Sequence, residues 1–181
     1  TVMALQKQLS FLSPTLRYVR EERHELIIEE FIDELIEYYK ERLENSFISM
    51  RILERNDSLF KVKMNKGKLI QIIDNLVLNS EYWLKEDIGQ GRIKKGSIYV
   101  NILPPYIQIF DTGRGIDPGV ETTLFEPFVS TKARGSGRGL GLFIVKQLLD
   151  SEGCDIELLP DRNKKRHLFK FQIDLRGILY E

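Results

Sequence analysis

The stretch DNLVLNSEYW, residues 74–83, places two asparagines inside an otherwise apolar helical segment. Asn75 and Asn79 are four residues apart, so a helix directs both side chains from the same face. Their amide oxygens can then converge on one point, and Mg²⁺ accepts neutral oxygen ligands beside phosphate oxygens and water. For either asparagine alone, a hydrogen bond to neighbouring backbone is the more ordinary role. The pair therefore indicates a cation site only if other features point to the same place.

The composition predicts one domain in a reducing compartment. In 181 residues, 42% are hydrophobic, which is enough for a core, and 27 Lys and Arg balance 27 Asp and Glu. A chain without net charge has no global positive field, so neither nucleic acid nor an anionic membrane is an expected partner. Cys154 is the only cysteine and cannot form an internal disulfide, which favours the cytoplasm. The sequence shows no transmembrane run or signal peptide, and its start at Thr1 suggests a piece of a longer protein.

Predicted strands and helices follow one another without regular βαβ repetition, which predicts an α+β sandwich with a mostly antiparallel sheet. Residues 65–87 predict a helix that buries Leu69, Ile72, Ile73, Leu76, Val77 and Leu84. A helix at 29–45 is expected to bury Phe31, Leu35, Tyr38, Tyr39 and Leu43. A third helix should end at Gly153. Strands are predicted at 24–28, 47–53, 59–64, 97–103, 106–111, 154–160 and 167–175, with a turn at 54–58.

A glycine-rich stretch, GSGRGLGLFIVK at residues 135–146, runs directly into an apolar helix. Alternate glycines let backbone N–H groups approach an anion, and the helix dipole favours negative charge there, so phosphate is the expected ligand. The spacing fits neither the dinucleotide G-x-G-x-x-G loop nor the G-x-x-x-x-G-K-[ST] loop. Taken alone, a structural loop explains the glycines equally well.

A second short motif, DTGRG, begins where a predicted strand ends at Asp111. A carboxylate fixed there can accept a hydrogen bond from an exocyclic amino group such as that of adenine, whereas guanine would present a carbonyl. Gly113 and Gly115 would let a flat ring approach the backbone. An ordinary Asp-Gly turn is the alternative interpretation.

Together these motifs resemble the GHKL ATP-binding superfamily. Its Bergerat fold implies an α/β sandwich in which helices cover one face of a mixed, mostly antiparallel sheet. The order is Asn-x-x-x-Asn, then D-x-G-x-G, then FEPFVSTK at 125–132, then G-x-G-x-G-L-G-L from residue 135, and the resemblance spans about residues 24–176. Sensor histidine kinases are the most similar members. The resemblance implies an ATP-binding domain at 21–181, preceded at 1–20 by the end of a helical hairpin of the dimerisation type. It also implies Mg²⁺ as a cofactor.

Carried onto this sequence, the resemblance assigns roles to individual residues. Asn79 and Asn75 would bind Mg²⁺, Asp111 would bind adenine, and Asn75 and Lys132 would take part in catalysis. Trp83 would lie against adenine, although a core tryptophan is the alternative. The full expected nucleotide-binding set is Asn79, Tyr82, Trp83, Asp111, Gly113, Gly115, Ile116, Phe128, Thr131, Lys132, Gly137, Arg138, Gly139, Leu140, Gly141 and Leu142. Phe125 and Phe128 are expected to anchor the lid over the nucleotide on the core.

Two departures from the family pattern bear on the chemistry. Hydrolytic members carry a glutamate where this chain has Asn75, and an amide cannot take a proton from water, so fast hydrolysis is not expected. Kinases usually carry a phosphate-binding lysine where this chain has Tyr82. Lys132, Arg134 or Arg138 from the lid would then supply the positive charge, unless these side chains are simply solvated.

A histidine kinase also needs a phosphoacceptor histidine, and neither histidine of this chain fits. His24 lies in the predicted first strand, and His167 is expected to be a surface side chain. The acceptor domain is therefore expected upstream or on another protein, with a response regulator downstream and a homodimer formed through the N-terminal helix. Two other functions stay open: an ATP-driven conformational clamp that hydrolyses ATP, and a nucleotide sensor without turnover.

Overall fold

A computed structural model describes residues 22–133 and 137–180, in which helices pack against one face of a five-stranded sheet. The α+β fold predicted from the sequence is confirmed. The predicted helical segment at 1–20, together with Arg134 and Gly135, lies outside the described residues. In chain order the elements are β1 (His24–Ile27), α1 (Ile28–Glu44), β2 (Ile48–Arg55), β3 (Lys61–Met64), α2 (Lys66–Gly89), β4 (Gly96–Leu103), β5 (Tyr106–Asp111), α3 (Gly141–Asp150), β6 (Asp155–Leu158) and β7 (Lys170–Asp174), with 3-10 turns at Pro118–Val120 and Arg176–Ile178.

The main sheet has the strand order β2-β4-β5-β7-β6. β2 runs parallel to β4, and the other three pairs are antiparallel. The predicted pair across Pro104-Pro105 is β4 and β5. β5 also pairs with β7, which places Gln108 opposite Gln172. The sheet is thus mixed and mostly antiparallel, as predicted.

The strands on either side of the turn at 54–58 are present but do not pair with each other. β2 joins the main sheet beside β4, while β3 pairs with β1 in a separate two-stranded sheet. A parallel pair needs a crossover of a dozen or more residues, and α2 provides it between β2 and β4.

Helix α2 is the element that most directly positions the candidate site. All six side chains that the sequence predicts to face inward are buried there: Leu69, Ile72, Ile73, Leu76, Val77 and Leu84. Asn65 caps the first turn, because its side-chain oxygen accepts a hydrogen bond from the Lys68 backbone N–H at 3.0 Å. With its apolar face fixed in the core, α2 presents its remaining face to the glycine-rich segments.

In helix α1, one side chain that was predicted to be buried is exposed. Tyr38 is 75% exposed, whereas Phe31, Leu35, Tyr39 and Leu43 are buried as expected. Adjacent helical residues are about 100° apart, so the two tyrosines cannot both face the core. Tyr39 takes the inner position, where its hydroxyl donates a hydrogen bond to Asp74 at 2.8 Å.

A buried carboxylate ties the beginning of the described chain to the end of α3. The side chain of Glu152 is 7% exposed and pairs with Lys68 Nζ at 2.6 Å and Arg23 Nη2 at 2.7 Å.

Within residues 22–133 and 137–180, no helix is long and apolar enough to cross a membrane.

Candidate functional site

A cavity of about 530 Å³ opens between α2, the end of β5 and the beginning of α3. The three motifs singled out from the sequence meet in it. The predicted site residues that line it are Asn75, Asn79, Trp83, Asp111, Gly115, Ile116, Thr131, Lys132, Gly137, Arg138, Gly139, Leu140, Gly141 and Leu142. Tyr82, Gly113 and Phe128 do not line the cavity, although each contacts a residue that does.

The two asparagines of α2 face the N-terminus of α3. Asn75 donates a hydrogen bond from Nδ2 to the Gln71 carbonyl at 2.8 Å, which leaves its Oδ1 on the side of Gly141. A Cβ at Gly141 would lie 3.0 Å from Asn75 Oδ1 and 3.9 Å from Asn79 Nδ2. Glycine therefore permits this close approach between the helices.

The first turn of α3 offers backbone N–H donors to the cavity. The N-cap residue of α3 is Leu140, whose apolar side chain makes no capping hydrogen bond. The first N–H groups of a helix have no partner within the helix, and together with the helix dipole they favour an anion. Gly139 adopts φ +67°, and a Cβ there would lie 2.6 Å from the Phe128 carbonyl carbon. The glycines thus set both the path of the loop and its approach to α2.

Lys132 reaches across the cavity to α2. Its Nζ donates a hydrogen bond to Asn79 Oδ1 at 2.9 Å and lies 4.5 Å from the centre of the Tyr82 ring. Burial lowers the pKa of Lys132 below its usual value. Its side chain also packs on Gly137, where a Cβ would be 3.0 Å from Lys132 Cδ. A lid cation and a helix amide are therefore in direct contact.

Asp111 lines the cavity at the last position of β5. Burial is the main cause that raises the pKa of its carboxyl, and hydrogen bonds from Ser80 and the Gly113 N–H oppose this effect. The Gly113 N–H donates to Asp111 Oδ1 at 2.8 Å, and a Cβ at Gly113 would also lie 2.8 Å from that oxygen. The D-x-G motif therefore holds the carboxylate in a fixed orientation.

The sequence analysis missed a charged cluster beside Trp83. Asp87 is 1% exposed and accepts hydrogen bonds from Arg114 Nε at 3.0 Å and Arg92 Nη1 at 2.9 Å. Burial alone would raise the pKa of Asp87, but the hydrogen bonds from the two arginines lower it below the usual value. The Arg114 guanidinium lies 4.6 Å from the centre of the Trp83 ring and lines the cavity. Two features of the sequence could have indicated this cluster. Asp87 follows Trp83 by one helical turn, and Arg114 lies inside the D-x-G-x-G motif.

His167 is not the surface side chain expected from the sequence. It is partly buried, lines the cavity, and its Nδ1 lies 2.9 Å from the Arg114 carbonyl oxygen. The reason is that the chain before β7 packs on the D-x-G-x-G loop, where the Ile116 N–H donates to the Leu168 carbonyl at 2.7 Å. A Cβ at Gly115 would lie 2.8 Å from His167 Cβ, so this packing also depends on glycine.

The two phenylalanines expected to anchor the lid behave differently. The Phe125 ring packs edge-on against Phe171, with centroids 6.2 Å apart. Phe128 is 65% exposed, so its predicted anchoring role is wrong. The backbone holds this position instead, because the Phe128 N–H donates to the Gly139 carbonyl at 2.8 Å.

Comparison with known proteins agrees with this arrangement. Residues 64–177 match the family model described as histidine kinase-, DNA gyrase B- and HSP90-like ATPase. This match covers more than half of the chain and includes α2, both glycine motifs and the residues around the cavity. The chain belongs to this ATPase family. The GHKL resemblance inferred from the motifs is thereby confirmed.

Curated proteins that are similar to the chain include sensor kinases. The sensor protein kinase PilS of Pseudomonas aeruginosa is 25% identical over 142 residues, covering 75% of this chain and 25% of PilS. The sensory histidine kinase/phosphatase NtrB of Azospirillum brasilense is 28% identical over 158 residues, covering 80% of this chain and 38% of NtrB. The chain thus spans about a quarter to two-fifths of the length of these relatives.

Solved structures share the fold. Full-length ShkA in complex with AMPPNP superimposes with a TM-score of 0.69 at 19% identity, covering 90% of this chain and 32% of ShkA. The mycobacterial sensor histidine kinase MprB gives a TM-score of 0.66 at 24% identity, covering 86% of this chain and 98% of that structure. The fold of this ATPase family member is therefore that of histidine kinase catalytic domains.

Proposed function

We propose that the chain is the ATP- and Mg²⁺-binding catalytic domain of a sensor histidine kinase. It would transfer the γ-phosphate of ATP to a histidine in a domain that is upstream in a longer chain or on another protein. The observation that carries this proposal is the convergence of Asn75, Asn79, Lys132, Asp111 and the N-terminus of α3 on one cavity.

The residues at one end of the cavity fit a cation between α2 and phosphate groups. The amide oxygen of Asn79 already accepts a positively charged group, the Lys132 ammonium, at 2.9 Å. Within the described residues, no cluster of three or more His, Cys, Asp or Glu side chains forms a separate metal site. A site with amide ligands and room for phosphate and water suits Mg²⁺, which would neutralise the phosphates and orient the γ-phosphate.

The remaining residues would orient ATP from its base to its phosphates. The ionised Asp111 would accept a hydrogen bond from the adenine amino group, and Trp83 would pack against the base. The uncapped N–H groups at the beginning of α3 and the Lys132 ammonium would bind the phosphates. Since phosphoryl transfer depends mainly on positioning and charge neutralisation, this set is sufficient for a kinase domain.

The arrangement disfavours rapid ATP hydrolysis. Asn75 carries an amide and cannot act as the general base that activates water. Glu81, the nearest glutamate along α2, points away from the cavity and forms ion pairs with Arg42 at 2.9 Å and Lys85 at 2.7 Å. A histidine acceptor needs no such base, because a neutral imidazole is itself a nucleophile.

Labelled ATP tests this function. The purified protein, with a phosphoacceptor domain from its own longer chain, is incubated with γ-labelled ATP and Mg²⁺. We expect label in acid-labile, base-stable phosphoprotein, lost when the acceptor histidine is replaced by glutamine. Fast release of free phosphate without a phosphoprotein would reject the kinase function and favour the ATP-driven clamp. ATP binding without any turnover would favour the nucleotide sensor.

The proposed partners follow from this function. The phosphoacceptor domain would pass its phosphoryl group to a response regulator, and residues 1–20 would contribute to a homodimer through a helical hairpin. We place these reactions in the cytoplasm, where ATP is available. Sedimentation of the protein with and without residues 1–20 would test the dimer, which should be lost on removal.

A further inference from the structure

We propose that Lys132 is an internal cation that competes with Mg²⁺ for Asn79, and that Tyr82 is the positioning residue that holds it there. This inference rests on the proposed function, since it concerns the same cavity. It adds a reason for the tyrosine at position 82 and predicts that the position of Lys132 depends on the metal.

The contacts around the Lys132 ammonium carry the inference. It donates to Asn79 Oδ1 at 2.9 Å and lies 4.5 Å from the Tyr82 ring centre. The ammonium is therefore bound by the amide oxygen of one residue and the ring of another, one turn of α2 apart. Tyr82 is in turn braced by Trp83, whose ring meets it edge-on with centroids 4.9 Å apart.

Mg²⁺ and the Lys132 ammonium are both positively charged, so they cannot bind Asn79 Oδ1 together. Mg²⁺ binds oxygen ligands at about 2.0–2.1 Å, so a metal ion on Asn79 Oδ1 would lie within a few ångströms of the Lys132 ammonium. Like charges at that distance repel strongly in a partly buried site. Asn79 can therefore bind either the Lys132 ammonium or the metal ion at any one time.

Displacement of Lys132 would also affect the lid. Its Cδ packs on Gly137, and its own backbone N–H donates to Ser130 Oγ at 3.2 Å. A move of the ammonium away from Asn79 would therefore change the contacts of Lys132 with Gly137 and Ser130.

The test measures how Mg²⁺ and Lys132 depend on each other. ATP affinity is determined by isothermal titration calorimetry with excess Mg²⁺ and with EDTA, for the parent protein and for Lys132→Met. In the parent, Mg²⁺ must displace the Lys132 ammonium from Asn79, which lowers the gain in ATP affinity from the metal, whereas Lys132→Met has no ammonium to displace. We expect the ratio of Kd in EDTA to Kd in Mg²⁺ to rise roughly fivefold or more in the variant. Lys132→Gln serves as a second variant if Lys132→Met does not fold.

Substitutions at Tyr82 separate positioning from general packing. Tyr82→Leu removes the ring face, and we expect the same ratio to rise by roughly two- to fivefold. Tyr82→Phe keeps the face and should leave the ratio unchanged. Lys63→Met and Tyr180→Leu are matched controls, because Lys63 lies 5.7 Å from the Tyr180 ring outside the cavity lining.

The results distinguish failure of this inference from failure of the proposed function. If the parent binds ATP but Lys132→Met weakens binding by the same factor with and without Mg²⁺, competition for Asn79 is refuted. Equal defects in Tyr82→Phe and Tyr82→Leu would refute the role of the ring. A parent protein that binds no ATP under either condition would overturn both the proposed function and this inference.

Discussion

Replacement of Asp111 by asparagine tests the adenine-binding role most directly. The change keeps the size of the side chain and retains an oxygen for the Gly113 N–H, which donates to Oδ1 at 2.8 Å. It removes the negative charge that the adenine amino group would meet. Hydrogen bonds to charged groups contribute about 1.5–3 kcal/mol, compared with about 1 kcal/mol for neutral ones. We therefore expect ATP binding to weaken by about 1–3 kcal/mol, or roughly 5- to 150-fold in Kd.

The same substitution should change base selectivity. Guanine presents a carbonyl where adenine has its amino group, and a carboxylate repels that carbonyl, whereas an amide can donate to it. Titration calorimetry with ATP and GTP would measure both affinities in the parent and the variant. Asp57→Asn, at an exposed position, is the matched control. Unchanged ATP affinity together with an unchanged preference for ATP over GTP would refute the assigned role of Asp111.

The unfolding of the nucleotide-free protein provides an independent readout of this site. Burial raises the pKa of Asp111 in the folded protein. The stabilisation from its protonated form is therefore present below the ordinary carboxyl pKa and is lost as pH rises through the raised value. The amide introduced by Asp111→Asn does not titrate, so the variant should gain stability relative to the parent as pH increases across that range. Urea unfolding at several pH values measures the difference, and a gain that grows toward acidic pH would contradict the reasoning.

Three further substitutions test other parts of the site. Asn79→Ala should remove most of the effect of Mg²⁺ on ATP affinity, roughly tenfold or more, and an unchanged Mg²⁺ dependence in calorimetry would contradict the metal-binding role. Asp87→Asn should lower the free energy of unfolding by about 2–3 kcal/mol at neutral pH, because it weakens the ion pairs with Arg92 and Arg114. Since these arginines lower the pKa of Asp87, its stabilisation should be lost only as pH falls through that lowered value, which urea unfolding against pH measures. Gly139→Ala should cost more than the roughly 1–2 kcal/mol expected from φ +67° alone, because its Cβ would also lie 2.6 Å from the Phe128 carbonyl carbon. It should weaken ATP binding as well, and wild-type values in both urea unfolding and calorimetry would contradict its role.

The sequence predicted those parts of the structure that depend on residues close together in the chain. The 3.6-residue spacing of apolar side chains in α2 determines which face is buried, and the positions of Asn75 and Asn79 on the remaining face follow from it. Asp111 was predictable in the same way, because it ends a strand and precedes glycines that the turn requires. The lid lysine was predicted as a source of charge, but its contact with Asn79 depends on the fold of the whole loop.

Features that depend on distant segments were not predictable. Nothing near β2 and β3 indicates that one joins the main sheet and the other pairs with β1. Asp87 and Arg114 are 27 residues apart, and only the packing of β5 beside α2 brings them together. His167 is partly buried for a similar reason. Its Nδ1 contacts the carbonyl oxygen of Arg114, which is 53 residues away in sequence.

The pairing of β5 with β7 has a consequence for synthesis of the protein. Gln108 and Gln172 are hydrogen-bonded across these strands although they are 64 residues apart in sequence. Until β7 has been synthesised, one edge of β5 therefore lacks its partner strand. β5 contains the apolar residues Ile107 and Ile109. Such edges template association between chains, so nascent or prematurely terminated forms that end before residue 170 should require chaperones to stay unaggregated.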